Sequence, residues 1–495
     1  MTHIASAPHL ELSFGQLPAV MFSYAQPTQV MQPQTLLLNM PLADELGIDK
    51  GWLQSAEAEQ VLSGNASLGD SGSIATAYTG HQFGHLNPRL GDGRAHLLGE
   101  LITPSGARVD MQLKGSGRTP YSRQGDGRSP LGPVIREYLV SEAMSALGVP
   151  TSRSLAAMAT GDNVWREQGA EPGAVLTRIA DSHIRVGSFQ YAAMQGPEVV
   201  RDLADYVLSR HFADMPETEL PYLNLLQAVS SKQANLIAQW MSLGFIHGVM
   251  NTDNMLVCGQ TIDYGPCAFM DDYFPQQVFS FIDRQGRYRY DNQPGIGQWN
   301  LVRLAETLLP IMGDDTDQAV AQAQQALNDY QTQYQQAYDQ RMGMKLGLQD
   351  KYADLVNELL DIMEAGDLDY TLSFRYLMTL LVTEKTLEAQ QYAMPERIYT
   401  PTDALLAWQE KWLAVVEQQG SKAVSLALMV QHNPIVIPRN HLVDAAIKAS
   451  YKGDLSLTND LLKATAKPFA YDPQWQHLAI PPHAEQIIAN TFCGT

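Results

Sequence analysis

The segment from residue 245 to 265, FIHGVMNTDNMLVCGQTIDYG, carries side chains suited to the chemistry of phosphate transfer. Asn254 and Asp263 lie nine residues apart, with an apolar run and Gly259 between them. Nucleotide phosphates are bound together with a divalent cation, and hard cations prefer carboxylate and amide oxygens. Because a turn at Gly259 would return the two side chains to one point, the spacing predicts a site for Mg²⁺ or Mn²⁺.

The order of these residues resembles the catalytic loop and the metal-binding segment of protein-kinase-like enzymes, in which an Asn and an Asp hold the metals. His247 aligns with the His of that loop, which puts Val249 where those enzymes have a catalytic Asp. Asp253 is the nearest replacement as a catalytic base. A lone Asp-Asn or Asp-Tyr-Gly is common in loops, but the order and spacing together favour an active site.

A glycine turn upstream, RLGDGR at residues 89–94, is a candidate phosphate-binding loop. The backbone N–H groups at Gly91 and Gly93 and the guanidinium of Arg94 are suited to phosphate oxygens. Ordinary hairpin turns also use glycine, so the elements that follow decide between the two interpretations.

Apolar and polar residues alternate over residues 107–114, which predicts a half-buried strand with Lys114 on its polar face. A helix is predicted to begin near Pro133 and to end at Gly148. Glu137 in its first turn follows Lys114 by 23 residues, a separation that suits the lysine–glutamate ion pair of kinases. The alternative is an acidic residue that only stabilises the helix N-terminus.

Two arginines, Arg178 and Arg185, lie in a predicted strand–turn–strand segment, VLTRIADSHIRVGSFQ. One interpretation is that both arginines are exposed to solvent and bind nothing. In a chain with more acidic than basic residues, their closeness in sequence to the nucleotide elements favours phosphate contacts.

His81 and His85 have the i,i+4 spacing of a helical metal pair. Gly84 and Pro88 disfavour a helix there, and no acidic partner falls in frame. A structural loop is therefore the favoured interpretation.

The composition excludes several classes of protein. The formal charge of −20 argues against a nucleic-acid surface, and 45% hydrophobic residues are enough for a large core. The N-terminal stretch lacks a signal-peptide pattern, and no window approaches the roughly twenty apolar residues of a membrane span. We therefore expect a cytoplasmic protein.

The predicted fold class is α+β, with a protein-kinase-like two-lobed fold. Residues 1–75 are expected to be irregular and to wrap around the core, with a linker near residues 63–73. Residues 76–195 are expected to form a nucleotide-binding N-lobe, residues 196–300 a C-lobe with the catalytic and metal loops, and residues 301–495 a helical C-terminal part. An apolar stripe from Val320 to Tyr338 predicts a long amphipathic helix there.

Several long motifs together resemble the selenoprotein O family, known in bacteria as the YdiU family. They are GHQFG, RLGDGR, LKGSGRTPYSR, GDGRSPLGPVIREYL, HGVMNTDNM and IDYGPC, which lie between residues 80 and 267, and the resemblance covers almost the whole chain. The resemblance implies a kinase-like fold that binds ATP in an inverted orientation. It also implies protein adenylylation, the transfer of AMP from ATP to protein hydroxyl groups.

The resemblance also implies roles for individual residues. Lys114 and Glu137 would form the ion pair, Asp253 would be the catalytic base, and Asn254 and Asp263 would hold the metal. The remaining positions would hold the nucleotide together with Lys114 and Asp263: Gly91, Gly93, Arg94, Asp126, Gly127, Arg178 and Arg185.

The chain has three cysteines, Cys258, Cys267 and Cys493, too few for a disulfide scaffold. Many eukaryotic members of the family carry selenocysteine near the C-terminus, where this chain has Cys493. We hypothesise that oxidation joins Cys493 to Cys267, although free thiols are the default in cytosol.

An adenylyltransferase and an ordinary kinase both need Lys114, Asn254 and Asp263, so these residues do not separate the two. Val249 and the arginines around the glycine turns favour the adenylyltransferase. A non-catalytic pseudokinase would be expected to lack the lysine or a metal ligand, and this chain has all of them.

Overall fold

The computed structural model describes residues 6–69, 72–167, 169–216, 218–350, 352–382 and 401–492. Helices and strands are mixed along the chain, which confirms the α+β class. The strands are β1 (Phe22–Tyr24), β2 (Gln34–Leu38), β3 (Ile74–Thr76), β4 (Gly80–Gln82), β5 (His85–Asn87), β6 (Ala95–Ile102), β7 (Arg108–Lys114), β8 (Ser129–Pro130), β9 (Arg153–Arg166), β10 (Gly169–Ala180), β11 (Phe245–Ile246) and β12 (Ala268–Phe269).

The α-helices of the described residues cluster after β10. They are α1 (Met40–Leu46), α2 (Lys50–Leu53), α3 (Ala56–Ser63), α4 (Leu131–Ala146), α5 (Val186–Gln195), α6 (Pro197–His211), α7 (Pro221–Leu243), α8 (Gln293–Leu308), α9 (Thr316–Lys345), α10 (Ala353–Ala365), α11 (Tyr370–Thr379), α12 (Asp403–Gln418), α13 (Lys422–His432), α14 (Asn440–Ser450) and α15 (Ser456–Thr465). None of them is both long and apolar enough to span a lipid bilayer.

The main sheet is antiparallel and has the strand order β1-β3-β6-β7-β10-β9-β2, with β8 paired to β10. The predicted strand is β7, but it is not half-buried, because Asp110 and Gln112 on its polar face are buried as well. Val109, Met111 and Leu113 pack in one core cluster with residues of α1, α2 and α3. The polar residues of β7, ending in Lys114, therefore face the opposite side of the sheet.

Helix α4 packs on that opposite side, beside the strands that carry Ala157 and Leu176. Its apolar side chains Ile135 and Leu139 are fully buried. The helix begins at Leu131, two residues before the predicted start at Pro133. Lys114 at the end of β7 and Glu137 on α4 are thereby brought to the same side of the sheet.

The expectation of irregular structure before residue 75 was wrong. Strands β1 and β2 join the main sheet, and α1, α2 and α3 cover one of its faces. Asn39, Asp49 and Ser55 each cap one of these helices by accepting a hydrogen bond from a backbone N–H three residues later. These caps were a readable helix signal in the sequence. Asp70 and Ser71 of the expected linker lie outside the described residues.

The second large core is helical, and α7 lies at its centre, packed against α8 and α9. The predicted long helix is α9, in which Ala323, Leu327 and Tyr330 are buried. Val320 is 46% exposed, so its place in the buried stripe was wrong. Ala319 lies in the core instead.

The last helices return to the sheet. Val443 of α14 and Leu461 of α15 are fully buried in one cluster with Ile135 and Leu139 of α4. The side chain of Arg136 adds a hydrogen bond of 2.9 Å to Asn440. Helix α4 is therefore held from both sides, by the sheet and by the C-terminal helices.

Candidate active site

One cavity of about 860 Å³ lies between the sheet, α4 and the loops that follow α7. All of the predicted site residues line it: Gly91, Gly93, Arg94, Lys114, Asp126, Gly127, Glu137, Arg178, Arg185, Asp253, Asn254 and Asp263. Residues that are up to 172 positions apart in the chain thus meet in one place.

Lys114 forms two short ion pairs. Its Nζ lies 2.6 Å from Glu137 Oε2 and 2.6 Å from Asp263 Oδ1. Glu137 is buried, and its second oxygen accepts a hydrogen bond of 3.0 Å from Arg178. Because α4 begins at Leu131, Glu137 lies beyond its first turn and not within it as predicted, and the alternative of an acid that only stabilises the helix N-terminus was wrong. Its carboxylate is buried and bound by two cations instead.

The two arginines converge on Asp263. Arg178 Nη1 lies 2.9 Å from its Oδ1 and Arg185 Nη1 lies 2.9 Å from its Oδ2. Arg178 is on β10, but Arg185 immediately precedes α5, so the predicted strand–turn–strand context was wrong for the second arginine. Both side chains are buried, which contradicts the alternative of solvent exposure.

Asp263 is held ionised by these neighbours. Burial alone would raise the pKa of its carboxyl group, but Lys114, Arg178 and Arg185 outweigh it and hold that pKa well below the usual range. The residue also has a φ of 63°, a left-handed conformation that is uncommon for any residue other than glycine. Such a conformation persists where its surroundings fix it, often at functional sites.

Asp253 and Asn254 lie in the short 3₁₀ turn Thr252–Asn254. Burial raises the pKa of Asp253 to about 6, with Arg185 and a hydrogen bond from Gln82 acting in the opposite direction. The amide nitrogen of Asn254 donates to the carbonyl of Val249 at 3.0 Å. Its amide oxygen is therefore the atom left to bind a cation.

Val249 is buried, and its backbone carbonyl supports this loop by accepting the hydrogen bond from Asn254. An apolar side chain there transfers no proton. The turn Thr252–Asn254 brings the carboxylate of Asp253 to the cavity instead.

The glycine turns pack too closely for larger residues. Gly91 has a φ of 94°, and a Cβ there would clash with the Tyr121 ring. Gly127 has a φ of 70°, and a Cβ there would clash with the carbonyl of Gly117. Next to it, Asp126 pairs with Arg166 at 2.8 Å at the rim of the cavity.

Sequence reasoning missed several residues that hold this site together. Gln112 accepts a 2.8 Å hydrogen bond from Arg178 and donates one of 3.3 Å to Asp92. The ring of Tyr78 lies 4.6 Å from the guanidinium of Arg185. Asp92 lies within RLGDGR, and Gln112 lies on the polar face of β7. These positions in the sequence could have indicated that both residues support the site.

The histidines of the GHQFGH stretch lie on two strands, His81 on β4 and His85 on β5, as the expectation of a non-helical element required. His81 Nδ1 is hydrogen-bonded to Gln190 at 2.8 Å. The cysteine hypothesis stays a prediction, because Cys493 lies outside the described residues; Cys267 is fully buried.

The cavity combines a lysine paired with a buried glutamate, two buried arginines, glycine turns and an acid–amide pair. These features are typical of an enzyme that transfers part of a nucleotide. A family model described as "Protein adenylyltransferase SelO" matches residues 8–466. The chain belongs to this family of protein adenylyltransferases.

Named relatives agree with this assignment. Proteins called "Protein nucleotidyltransferase YdiU" are 49% identical over 493 residues in Alkaliphilus metalliredigens and 50% identical over 491 residues in Rhizobium meliloti. A third, from Geobacillus kaustophilus, is 49% identical over 491 residues. In each case the match covers 98% of this chain and 98% of the relative.

Proposed function

We propose that this protein transfers AMP from ATP to the hydroxyl groups of Ser, Thr or Tyr side chains in other proteins, with Mg²⁺ or Mn²⁺, and releases pyrophosphate. The family assignment supplies the reaction class. The observation that carries the residue-level proposal is the cluster in which Lys114, Arg178 and Arg185 surround Asp263 in the cavity.

The proposed architecture is protein-kinase-like and two-lobed. Residues 76–195 form the N-lobe with Lys114 and Glu137, residues 196–300 the C-lobe with Asn254 and Asp263, residues 1–75 a wrapping segment and residues 301–495 a C-terminal part. The cavity supports this division, because the sheet with α4 lines one side and the loops after α7 line the other.

The nucleotide is held by cations and backbone N–H groups. Arg178, Arg185 and Lys114 bind the phosphates. In this structure the same three side chains bind Asp263, so the phosphates replace that carboxylate as their partner. The turns at Gly91 and Gly127 let the backbone approach the nucleotide closely. With ATP inverted, its α-phosphate faces the protein substrate, and its outer phosphates lie deep in the cavity beside the arginines. The remaining nucleotide contacts are made by Gly93, Arg94 and Asp126.

Asn254 and Asp263 fit a divalent cation, since one offers an amide oxygen and the other an ionised carboxylate. A cation bound there would neutralise charge at the reacting phosphate. Asp253 accepts the proton of the substrate hydroxyl as the hydroxyl oxygen bonds to the α-phosphorus and the bond to pyrophosphate breaks. We place the reaction in the cytoplasm, with ATP and proteins as partners and neither nucleic acid nor membrane.

The test is a pair of incubations of the purified protein with ATP labelled at the α- or the γ-phosphate, with Mg²⁺ or Mn²⁺. We expect label on the protein and on lysate proteins from the α-position alone. Label from the γ-position alone would make it a kinase. No label from either, with ATP still bound, would make it a pseudokinase scaffold.

A further inference from the structure

The motif GHQFG forms most of a hairpin, β4–β5, that lies directly on the loop with the proposed base. Three hydrogen bonds join consecutive residues of the hairpin to consecutive residues of that loop. They run from His81 N–H to Thr252 Oγ1 (2.7 Å), from Gln82 Nε2 to Asp253 Oδ2 (3.2 Å) and from Phe83 N–H to Asn251 Oδ1 (3.3 Å).

Gly80 packs directly against one carboxylate oxygen of Asp253. A Cβ on Gly80 would clash with Asp253 Oδ1 and would lie 2.7 Å from Leu90 Cδ1, so glycine is required for this approach. Oδ1 is buried and has no hydrogen-bond partner among the described residues. Oδ2, which Gln82 binds, is therefore the oxygen left to exchange a proton in the cavity.

Phe83 fixes the hairpin in this position. Its φ of 52° is left-handed, which is rare for a bulky residue. Its N–H donates to Asn251 and to the Tyr288 hydroxyl (3.0 Å), and that hydroxyl donates to Asn251 Oδ1 (2.7 Å). A strained residue held by several partners indicates an element whose placement matters to function.

We propose that Gln82 is a positioning residue for the transfer reaction, holding Asp253 so that Oδ2 receives the proton of the substrate hydroxyl. This inference rests on the proposed role of Asp253. One lone pair of Oδ2 accepts the Gln82 amide hydrogen and the other accepts the hydroxyl proton. The hydroxyl oxygen then bonds to the α-phosphorus, pyrophosphate leaves, and the proton passes from Asp253 to solvent.

The experiment compares Gln82→Leu, Gln82→Glu and Gln82→Asn with His85→Ala, an exposed position on the same hairpin. For each variant, kcat, the KM values for ATP and for a protein acceptor, and the equilibrium affinity for ATP are measured. We expect Gln82→Leu to lower kcat about tenfold, since a hydrogen bond to a charged group is lost, with both KM values and ATP affinity unchanged.

Gln82→Glu should lower kcat further, because its charge opposes that of Asp253, while Gln82→Asn should retain part of the rate and His85→Ala all of it. An unchanged kcat in Gln82→Leu would overturn the proposal. So would an equal loss of ATP affinity, which would indicate a structural role only.

Two further variants separate the possible failures. If Asp253→Asn transfers AMP at the normal rate, the proposed role of Asp253 as base and the inference about Gln82 both fail, while the proposed AMP transfer stands. If Asp253→Asn is inactive and Gln82→Leu is normal, only the inference about Gln82 fails. Gly80→Ala tests the same contact from the other side and should lower kcat, with thermal unfolding as the check that it is folded.

Discussion

At the scale of single residues, the main feature is the competition for Asp263. Three cations occupy both of its oxygens, and they are the groups proposed to bind phosphate. A divalent cation that arrives alone meets these positive charges at close range, where repulsion is strong. Under the proposed function, a bound nucleotide would draw the three side chains to its phosphates and release the carboxylate of Asp263.

We therefore predict that Mn²⁺ binds at least tenfold more tightly when ATP is present, a coupling that must be reciprocal. Electron paramagnetic resonance titration of free Mn²⁺, with and without a non-hydrolysable ATP analogue, measures it directly. Asp263→Ala should abolish the nucleotide-dependent binding, whereas Asp291→Ala, an exposed acid, should leave it intact. Equal Mn²⁺ affinity in both titrations would contradict the prediction.

The sequence could place the predicted site residues together in one cavity because they lie in short motifs with typical spacing. Lys114 and Glu137, for example, follow directly from one strand and one helix. Gln82 could not be connected to Asp253, because 171 residues separate them and only the tertiary fold brings them together. The ion pair of Asp271 with Arg439 could not be predicted either, because 168 residues separate the two in the chain.

At the scale of elements, two glycine turns allow the effect of backbone strain on ATP binding to be separated from the effect of a steric clash. Gly91 and Gly106 both have a left-handed backbone, but a Cβ at Gly106 would meet nothing within 4 Å. We predict that Gly106→Ala lowers stability by about 1 kcal/mol and leaves ATP affinity unchanged.

Gly91→Ala combines the same strain with a clash against the Tyr121 ring, and we expect ATP affinity to fall at least tenfold. Isothermal titration with ATP measures the affinity, and urea unfolding measures the stability. If both variants bind ATP equally well, the turn at Gly91 is not a nucleotide contact.

The end of α9 contains a buried lysine with no carboxylate partner among the described residues. Lys345 Nζ lies 4.2 Å from the centre of the Phe374 ring and 5.5 Å from that of Tyr370. Burial lowers its pKa from 10.5 to about 7. The aromatic faces offset part of that cost, because they attract a cation.

The unfolded state thus binds more protons than the folded state between pH 7 and about 10, so stability rises with pH across that window. Lys345→Met should stabilise the protein by roughly 2–4 kcal/mol at pH 7 and by much less at pH 10. Urea unfolding at several pH values measures this. Parallel pH profiles for the two proteins would contradict the explanation.

At the scale of the whole molecule, the two halves of the chain share one core around α4. Leu461 and Val443 pack against the helix that carries Glu137, although they lie more than 300 residues further along the chain. The sequence predicted the helices of this region, but not their return to the sheet, because helical periodicity gives the buried face and not its partner.

We predict that Leu461→Ala lowers the free energy of unfolding by about 3 kcal/mol and weakens ATP binding, while Val424→Ala, at an exposed position, changes neither. Urea unfolding followed together with ATP titration tests both effects. A stability loss without any change in ATP affinity would show that the C-terminal helices do not influence the site.

The return of α14 and α15 to α4 has a consequence for the synthesis of the protein. The strand and helix that carry Lys114 and Glu137 leave the ribosome long before the helices that complete the packing around them. Until then the side of α4 that packs against α14 and α15 is uncovered, and the Lys114–Glu137 pair lacks part of its support. We therefore expect the nascent chain to remain inactive towards neighbouring proteins until α15 has been made.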